Sequence, residues 1–420
     1  MKITDISPRV YDMAARAEAK AAGQFAEIDR IALENTTRVM QAFQDNRVAE
    51  ACFSGTTGYG YDDLGRDTLD KIYAQVFGAE SAIVRIGFVN GTHAITCAMF
   101  SLCAPGEKLL SINGAPYDTL RGAIGIGENG AAPGSLAYYG IGYDQVNLLP
   151  DSTIDFESVS AKLKSDKTIK AVIMQRSCGY DDRKTLTVAQ IGEAIKKIKA
   201  VRPDVNVFVD NCYGEFVDTL EPTHVGADLI AGSLIKNPGG SIAPIGGYIA
   251  GRAELVERAA FRMTVPGIGG ECGSTLGNNR LLYQGFFMAP HVTAQAVKTA
   301  VFAAAMMDEA GIESFPKYNE KRSDIIQRIR VGSPEKMKKF CAGIQAGAPV
   351  DSYVTPEPWA MPGYDCDVIM AAGAFIQGAS IELSADGPFK EPYDVFLQGG
   401  ITYESGKLGV MMAVNGMTEE

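Results

Sequence analysis

Four short stretches carry residue types that can do chemistry beyond packing. Asp210 ends the apolar run 205–209. In an open α/β sheet, ligands bind beyond the carboxyl ends of the strands, so a carboxylate there is placed to meet a cationic ligand group. The plain alternative is a turn former or helix cap. Lys236 lies in Ser233-Leu234-Ile235-Lys236-Asn237-Pro238-Gly239-Gly240. Its apolar approach and glycine-rich exit predict a desolvated lysine with a lowered pKa, the state in which an amine attacks a carbonyl. A loop lysine on the surface is the bland reading, but the pairs Gly239-Gly240 and Gly246-Gly247 indicate backbone held close to something. Asn90-Gly91-Thr92-His93 opens a helix with a glycine and a hydroxyl, which makes either a phosphate cradle or an ordinary N-cap. Tyr117, in Pro116-Tyr117-Asp118-Thr119, is a stacking partner for a flat ring or a hydrophobic staple.

In chain order these read phosphate cradle, aromatic, carboxylate and then lysine, 26 residues (236 − 210) after the carboxylate. Pyridoxal 5'-phosphate needs this set. Its aldehyde takes a lysine, its ring nitrogen a carboxylate, its ring a stacking partner and its phosphate a helix N-terminus. The chain has no Walker sequence, and no GxGxxG fingerprint follows its first strands.

The elements that must position these residues follow from periodicity. Residues 8–48 show helical spacing, 52–63 a glycine-bearing loop and 64–77 a helix. From 81 onward strands and helices alternate. Strands are predicted at 81–86, 108–112, 137–142, 169–175, 205–210, 228–231 and 247–250. Helices are predicted at 92–102, 118–126, 155–163 and 188–199. This is the pattern of an α/β fold with a large, mostly parallel sheet covered on both faces. A long helix at 276–309, broken or kinked at Pro290, leads into a smaller α+β tail. The tail is predicted to hold a helix at 335–341 and strands at 350–354, 367–371 and 380–383. Three parts result: 1–65 at a subunit interface, 66–290 around the sheet, and 291–420.

Composition narrows the function classes. The net charge of −11 lacks the basic footprint of nucleic-acid binding. The three histidines are far apart and no cysteine pair has metal-site spacing, so no metal site is expected. The apolar stretch 294–307 is too short to span a bilayer. With no apolar leader in residues 1–8, the expectation is a cytoplasmic protein with free thiols. There are 46 glycines, about 11% against a usual ~7%. They concentrate around Lys236 and in 55–65, which favours close approach to a ligand there.

The local words resemble the fold-type I pyridoxal-phosphate enzymes of cysteine and methionine metabolism, which have the aspartate aminotransferase fold. They are most similar to the bacterial proteins described as methionine gamma-lyase-like, cystathionine beta-lyase-like or aluminium resistance proteins. The resembling stretches run from 53–63 and Arg66-Asp67 through Gly91-Thr92-His93, Tyr117-Asp118-Thr119 and Gln175-Arg176-Ser177. They continue with 210–216, 233–240 and 380–388, covering most of the chain.

The resemblance implies that Lys236 bonds to the cofactor aldehyde, Asp210 pairs with the ring nitrogen, and Tyr117 stacks. It implies that Gly91, Thr92 and Ser233 hold the phosphate. Tyr61 (or Tyr59) and Arg66 would reach the phosphate of a neighbouring subunit. A homodimer would then be the smallest active unit and a tetramer the common assembly. Two expected arginines are replaced, by Cys178 and Lys390. Arg176 is therefore the first candidate for the substrate carboxylate, and Lys390 the second. The implied activity is carbon–sulfur bond cleavage by β- or γ-elimination on a small sulfur-containing amino acid, with Tyr61 or Tyr59 as acid for the leaving thiolate. Other readings are transamination, γ-replacement or aldol cleavage, or a metal-tolerance protein of low turnover.

Overall fold

The computed structural model describes residues 2–418, apart from 128, 129, 362, 363 and 365. The chain opens with one uninterrupted helix, α1 (Pro8–Asp45). Pro8 starts it where a missing N–H costs nothing, and its buried positions Val10, Met13, Ala14, Ala17 and Ala21 recur at three- and four-residue steps. Helix α2 (Leu64–Val76) is capped by the Asp63 side chain, which accepts from the Arg66 N–H.

The alternating region builds a seven-stranded sheet. Its elements are β1 (Ser81–Arg85), α3 (Gly91–Leu102), β2 (Lys108–Ser111), α4 (Asp118–Ile124), β3 (Gly142–Gln145), α5 (Phe156–Ser165), β4 (Ile169–Gln175), α6 (Val188–Val201), β5 (Asn206–Asp210), β6 (Leu229–Ser233) and β7 (Gly247–Gly251). The strand order is β1-β7-β6-β5-β4-β2-β3. Only β7 runs against its neighbours among these strands. A single 3-10 turn, Asn237–Gly239, lies between β6 and β7, so the chain doubles back instead of crossing over. Successive strand residues serve opposite cores. Val172, Val207 and Ile230 face one, and Ala171, Phe208 and Ala231 face the other.

Helix α7 (Ala253–Met263) precedes α8 (Asn279–Ala310). Pro290 sits inside α8 without ending it, with Phe286, Ala289 and Val292 buried around it. Of the expected break or kink, the break does not occur. The helix also runs across the boundary expected at residue 290. A second, wholly antiparallel sheet follows: β8 (Glu313–Phe315), β9 (Gln327–Arg330), β10 (Trp359–Ala360), β11 (Asp367–Ala372), β12 (Ser384–Pro388) and β13 (Asp394–Gln398), in the order β10-β11-β12-β13-β9-β8. Helices α9 (Pro334–Gly347) and α10 (Tyr403–Thr418) pack with it. The start of α1, through Val10, Met13 and Ala14, joins this second core, while Val39 and Ala42 join the first. Residues 1–65 are therefore not a separate unit.

Two expected strands are displaced and a third does not form. Residues 137–139 form a 3-10 turn ended by Gly140 at φ 77°, and the strand starts at Gly142. Residues 350–354 are bends and turns punctuated by Asp351 at φ 53°. Residues 380–383 form a turn, and the strand begins at Ser384.

Candidate active site

Strands β5 and β6 lie side by side with Asp210 opposite Ala231, so the chain leaves both at one edge of the sheet. There, a cavity of about 470 Å³ is lined by Asp210, Ser233, Lys236, Gly91, Thr92 and Tyr117, all predicted from sequence. Asp210 is 3% exposed, and its Oδ1 accepts from the Cys212 N–H at 3.1 Å. Burial pushes its carboxyl above the usual range, while the positive charge of Lys236 opposes that rise.

Lys236 enters the cavity on the turn after β6, with its Nζ 3.9 Å from the ring centre of Tyr213. The expected lowering of its pKa is overturned. Burial alone pulls it down, but Tyr213, Cys212, Tyr117 and Asp210 together outweigh burial and hold it above the ordinary lysine range. Asn237 fixes the turn, its Nδ2 donating to the carbonyls of Tyr213 and Glu215 at 3.0 Å each.

The glycines beside Lys236 also play a different part from the one expected. A Cβ on Gly239 would meet the Leu234 carbonyl oxygen at 1.7 Å. One on Gly240, at φ 54°, would meet the Gly285 oxygen of α8 at 2.4 Å. In the other glycine-rich loop, a Cβ on Gly55 would meet the Gly277 nitrogen at 2.4 Å. These glycines press backbone against backbone.

The opposite wall is the N-terminus of α3. Asn90 caps it, accepting from the His93 N–H at 2.8 Å. A Cβ on Gly91 would sit 2.9 Å from the Ser233 Cβ, so glycine is needed there. The buried Ser233 Oγ has no protein partner. Thr92 Oγ1 and the Tyr117 hydroxyl are 2.9 Å apart, and the Tyr117 N–H donates to Gln175 Oε1 at 3.2 Å. An unpartnered serine at a helix N-terminus suits a phosphate, and the ring of Tyr117 with the Asp210 carboxylate suits a flat cationic heterocycle. The donor set therefore fits pyridoxal phosphate. Among the described residues no group of three or more His, Cys, Asp or Glu is arranged to hold a metal, and no helix is long and apolar enough to cross a membrane.

One predicted residue is not where it was expected. Arg176 is fully buried, with Nη1 at 2.8 Å from Asn211 Oδ1 and 3.2 Å from Glu221 Oε2. Gly214 makes room for it, since a Cβ there would lie 2.4 Å from its Cδ. It does not line the cavity, and its charge answers Glu221. Arg66, 2% exposed, donates within its own chain to the carbonyls of Gly60, Gly273 and Glu271 and to Asp67, which braces the loop. Tyr59 and Tyr61 are 70% and 53% exposed, stack at 5.5 Å and do not line the Lys236 cavity of their own chain. Lys390 does line it.

The cavity also contains residues that sequence reasoning passed over. Arg183 lines it, held by the carbonyls of Cys178 at 3.3 Å, Ser177 at 3.1 Å and Asn113. Burial pulls its guanidinium below the usual arginine range. Within Asp181-Asp182-Arg183-Lys184 it reads as one more charge on a solvated loop, and nothing local marks it out. Tyr180 and Gln398 also line the cavity.

Comparison with known proteins matches residues 10–418 to the family described as methionine gamma-lyase. The uncharacterized Bacillus subtilis (strain 168) protein YnbB is 49% identical over 403 residues, 96% of this chain and 95% of that one. The crystal structure of a carbon-sulfur lyase involved in aluminum resistance from Clostridium novyi NT superposes with a TM-score of 0.94 at 51% identity, covering 98% of this chain and 96% of the other. The L-methionine gamma-lyase of Pseudomonas putida is 25% identical over 290 residues, 66% of each chain.

Proposed function

The chain belongs to the methionine gamma-lyase family, and from that premise we propose that it is a pyridoxal-phosphate-dependent carbon–sulfur lyase acting on a sulfur-containing amino acid. The observation that carries this reading is the meeting of Asp210, Lys236 and the unpartnered Ser233 hydroxyl in one cavity at the edge of the sheet. Lys236 would hold the cofactor aldehyde, Asp210 would answer the ring nitrogen, Tyr117 would hold the ring, and Gly91, Thr92 and Ser233 would hold the phosphate.

The bound cofactor supplies an electron sink for the electrons of the Cα–H bond. The protein moves the protons. Lys236, freed as a neutral amine when the substrate's amino group takes its place, would take the Cα proton. Asp210, held by the Cys212 N–H, keeps a negative charge where a protonated ring nitrogen needs one. Arg183, rigid on three carbonyls, replaces Arg176 as the group that binds the substrate carboxylate. A dimer is the smallest active unit in this reading: Tyr59 and Tyr61, exposed and outside their own cavity, serve the site of a second copy, where one protonates the leaving thiolate.

The test is direct. The purified protein with added cofactor turns yellow, and borohydride fixes the cofactor on Lys236. L-cystathionine, L-methionine and L-cysteine are then assayed for thiol and keto acid. Keto acid without thiol would replace the lyase by another reaction of the same cofactor, and labelling elsewhere would remove Lys236.

A further inference from the structure

The groups assigned to the cofactor all come from the seven-stranded sheet and its connections. The second sheet closes the cavity from the other side, and two polar cavity residues meet one of its carboxylates. Asp386, on β12, is 7% exposed. The Tyr180 hydroxyl hydrogen-bonds to it, and Gln398 Nε2 donates to its Oδ1 at 3.3 Å. The groups that sense its charge are Tyr180, Tyr364, Cys341 and Lys236. Burial pushes its carboxyl up to about 7, while the Tyr180 hydrogen bond and the Lys236 charge oppose that rise.

Above that pH the carboxylate is ionised and has only acceptors. It then turns the Tyr180 proton and the Gln398 amide N–H toward itself; the Tyr180 oxygen also meets the Tyr364 hydroxyl and keeps one lone pair, and the Gln398 side-chain oxygen remains an acceptor. Gln398 is 4% exposed, lines the cavity, and its Oε1 is buried without a partner. A buried acceptor in this state costs free energy until a donor reaches it. We propose that Tyr180 and Gln398, oriented by Asp386, form a specificity-determining subsite for an ammonium on the substrate, the one that a leaving aminothiol carries. Asp386 is a positioning residue here, and its charge completes the match. The inference rests on the lyase reading for the identity of that ammonium.

The test compares L-cystathionine with S-(3-carboxypropyl)-L-cysteine, which differs only in lacking the distal ammonium. Both kcat/KM for thiol release and Kd by calorimetry are measured on the holoenzyme. The wild type is expected to favour cystathionine roughly 10- to 100-fold, the range for a hydrogen bond to a charged group. In Asp386→Asn and in Gln398→Met the preference falls to within about threefold of unity, because the missing partner matters only to the compound with the ammonium. A wild type without preference, or a preference that survives both substitutions, overturns the proposal. A merely structural role for Asp386 would weaken both compounds alike and leave their ratio intact. If the holoenzyme releases thiol from neither compound, the lyase reading fails, and the ratio of Kd values still decides the subsite. If Asp386→Asn does not fold, Gln398→Met carries the comparison.

Discussion

The Nζ of Lys236 lies 3.9 Å from the ring centre of Tyr213, a residue whose backbone is left-handed at φ 71°. Such a conformation is unfavourable for a bulky side chain and persists where surroundings enforce it. Here Asn237, the residue after the lysine, holds the Tyr213 carbonyl, and Ser380 meets its hydroxyl at 3.3 Å. Lys236→Ala is expected to lose borohydride labelling and to lower kcat by roughly 10²- to 10⁴-fold, the usual contribution of a positioned acid–base group. Circular dichroism checks that the fold remains.

Arg183 and Arg176 are to be separated by what their loss does. Arg183→Gln removes a cation held on carbonyls at the cavity wall, so KM is expected to rise roughly 10- to 100-fold for a substrate carboxylate, with a stability loss of about 1–3 kcal/mol from the acceptors it leaves. Arg176→Gln strands the buried Glu221 carboxylate and is expected to cost about 3–5 kcal/mol of stability, read by denaturant unfolding. The reverse pattern would return Arg176 to the site.

Two glycines make opposite predictions. Gly91→Ala crowds Ser233 at the phosphate end, and cofactor affinity is expected to fall roughly 10-fold, the size of one lost hydrogen bond, in a fluorescence titration. Gly240→Ala drives a Cβ into the Gly285 carbonyl at a positive φ, and is expected to destabilise the chain by about 2 kcal/mol or more with or without cofactor. Equal effects on affinity and stability at both positions would count against this division.

Glu215 supplies a pH signature. It is fully buried, accepts from the Tyr248 hydroxyl at 2.8 Å, and burial raises its carboxyl to about 8. Between its unfolded value of about 4.3 and 8 the folded protein binds the extra proton, so stability falls as pH rises through that window, by up to about 1.4 kcal/mol per pH unit. Glu215→Gln has no proton to lose. Melting temperatures from pH 5 to pH 8 should therefore decline less in the variant than in the wild type.

The sheet and the residues that meet in the cavity at its edge were readable because strand period and strand end are local signals. Val205 to Val209 alternates between two cores, and the residue that follows must be Asp210. Arg176 was misplaced because its partner Glu221 lies 45 residues away in sequence, and no local pattern announces a buried ion pair. Arg183 was missed for the opposite reason: its partners are backbone carbonyls, which every residue has. The strands expected at 350–354 and 380–383 failed because apolar, β-prone words also occur in turns, where Asp351 takes a positive φ. The glycines near Lys236 read as close approach to a ligand, whereas Gly239 meets the Leu234 carbonyl and Gly240 the backbone of α8, contacts between segments that no local pattern announces.

Helix α8 gives Phe286 and Ala289 to the core beneath one sheet and Phe302 and Met306 to the core beneath the other. The two sets lie in successive halves of one continuous helix, so α8 is a covalent link between the two cores. The same helix meets the turn that carries the lysine at Gly285 and reaches the core of the sheet that carries Asp386, so one element touches both walls of the cavity.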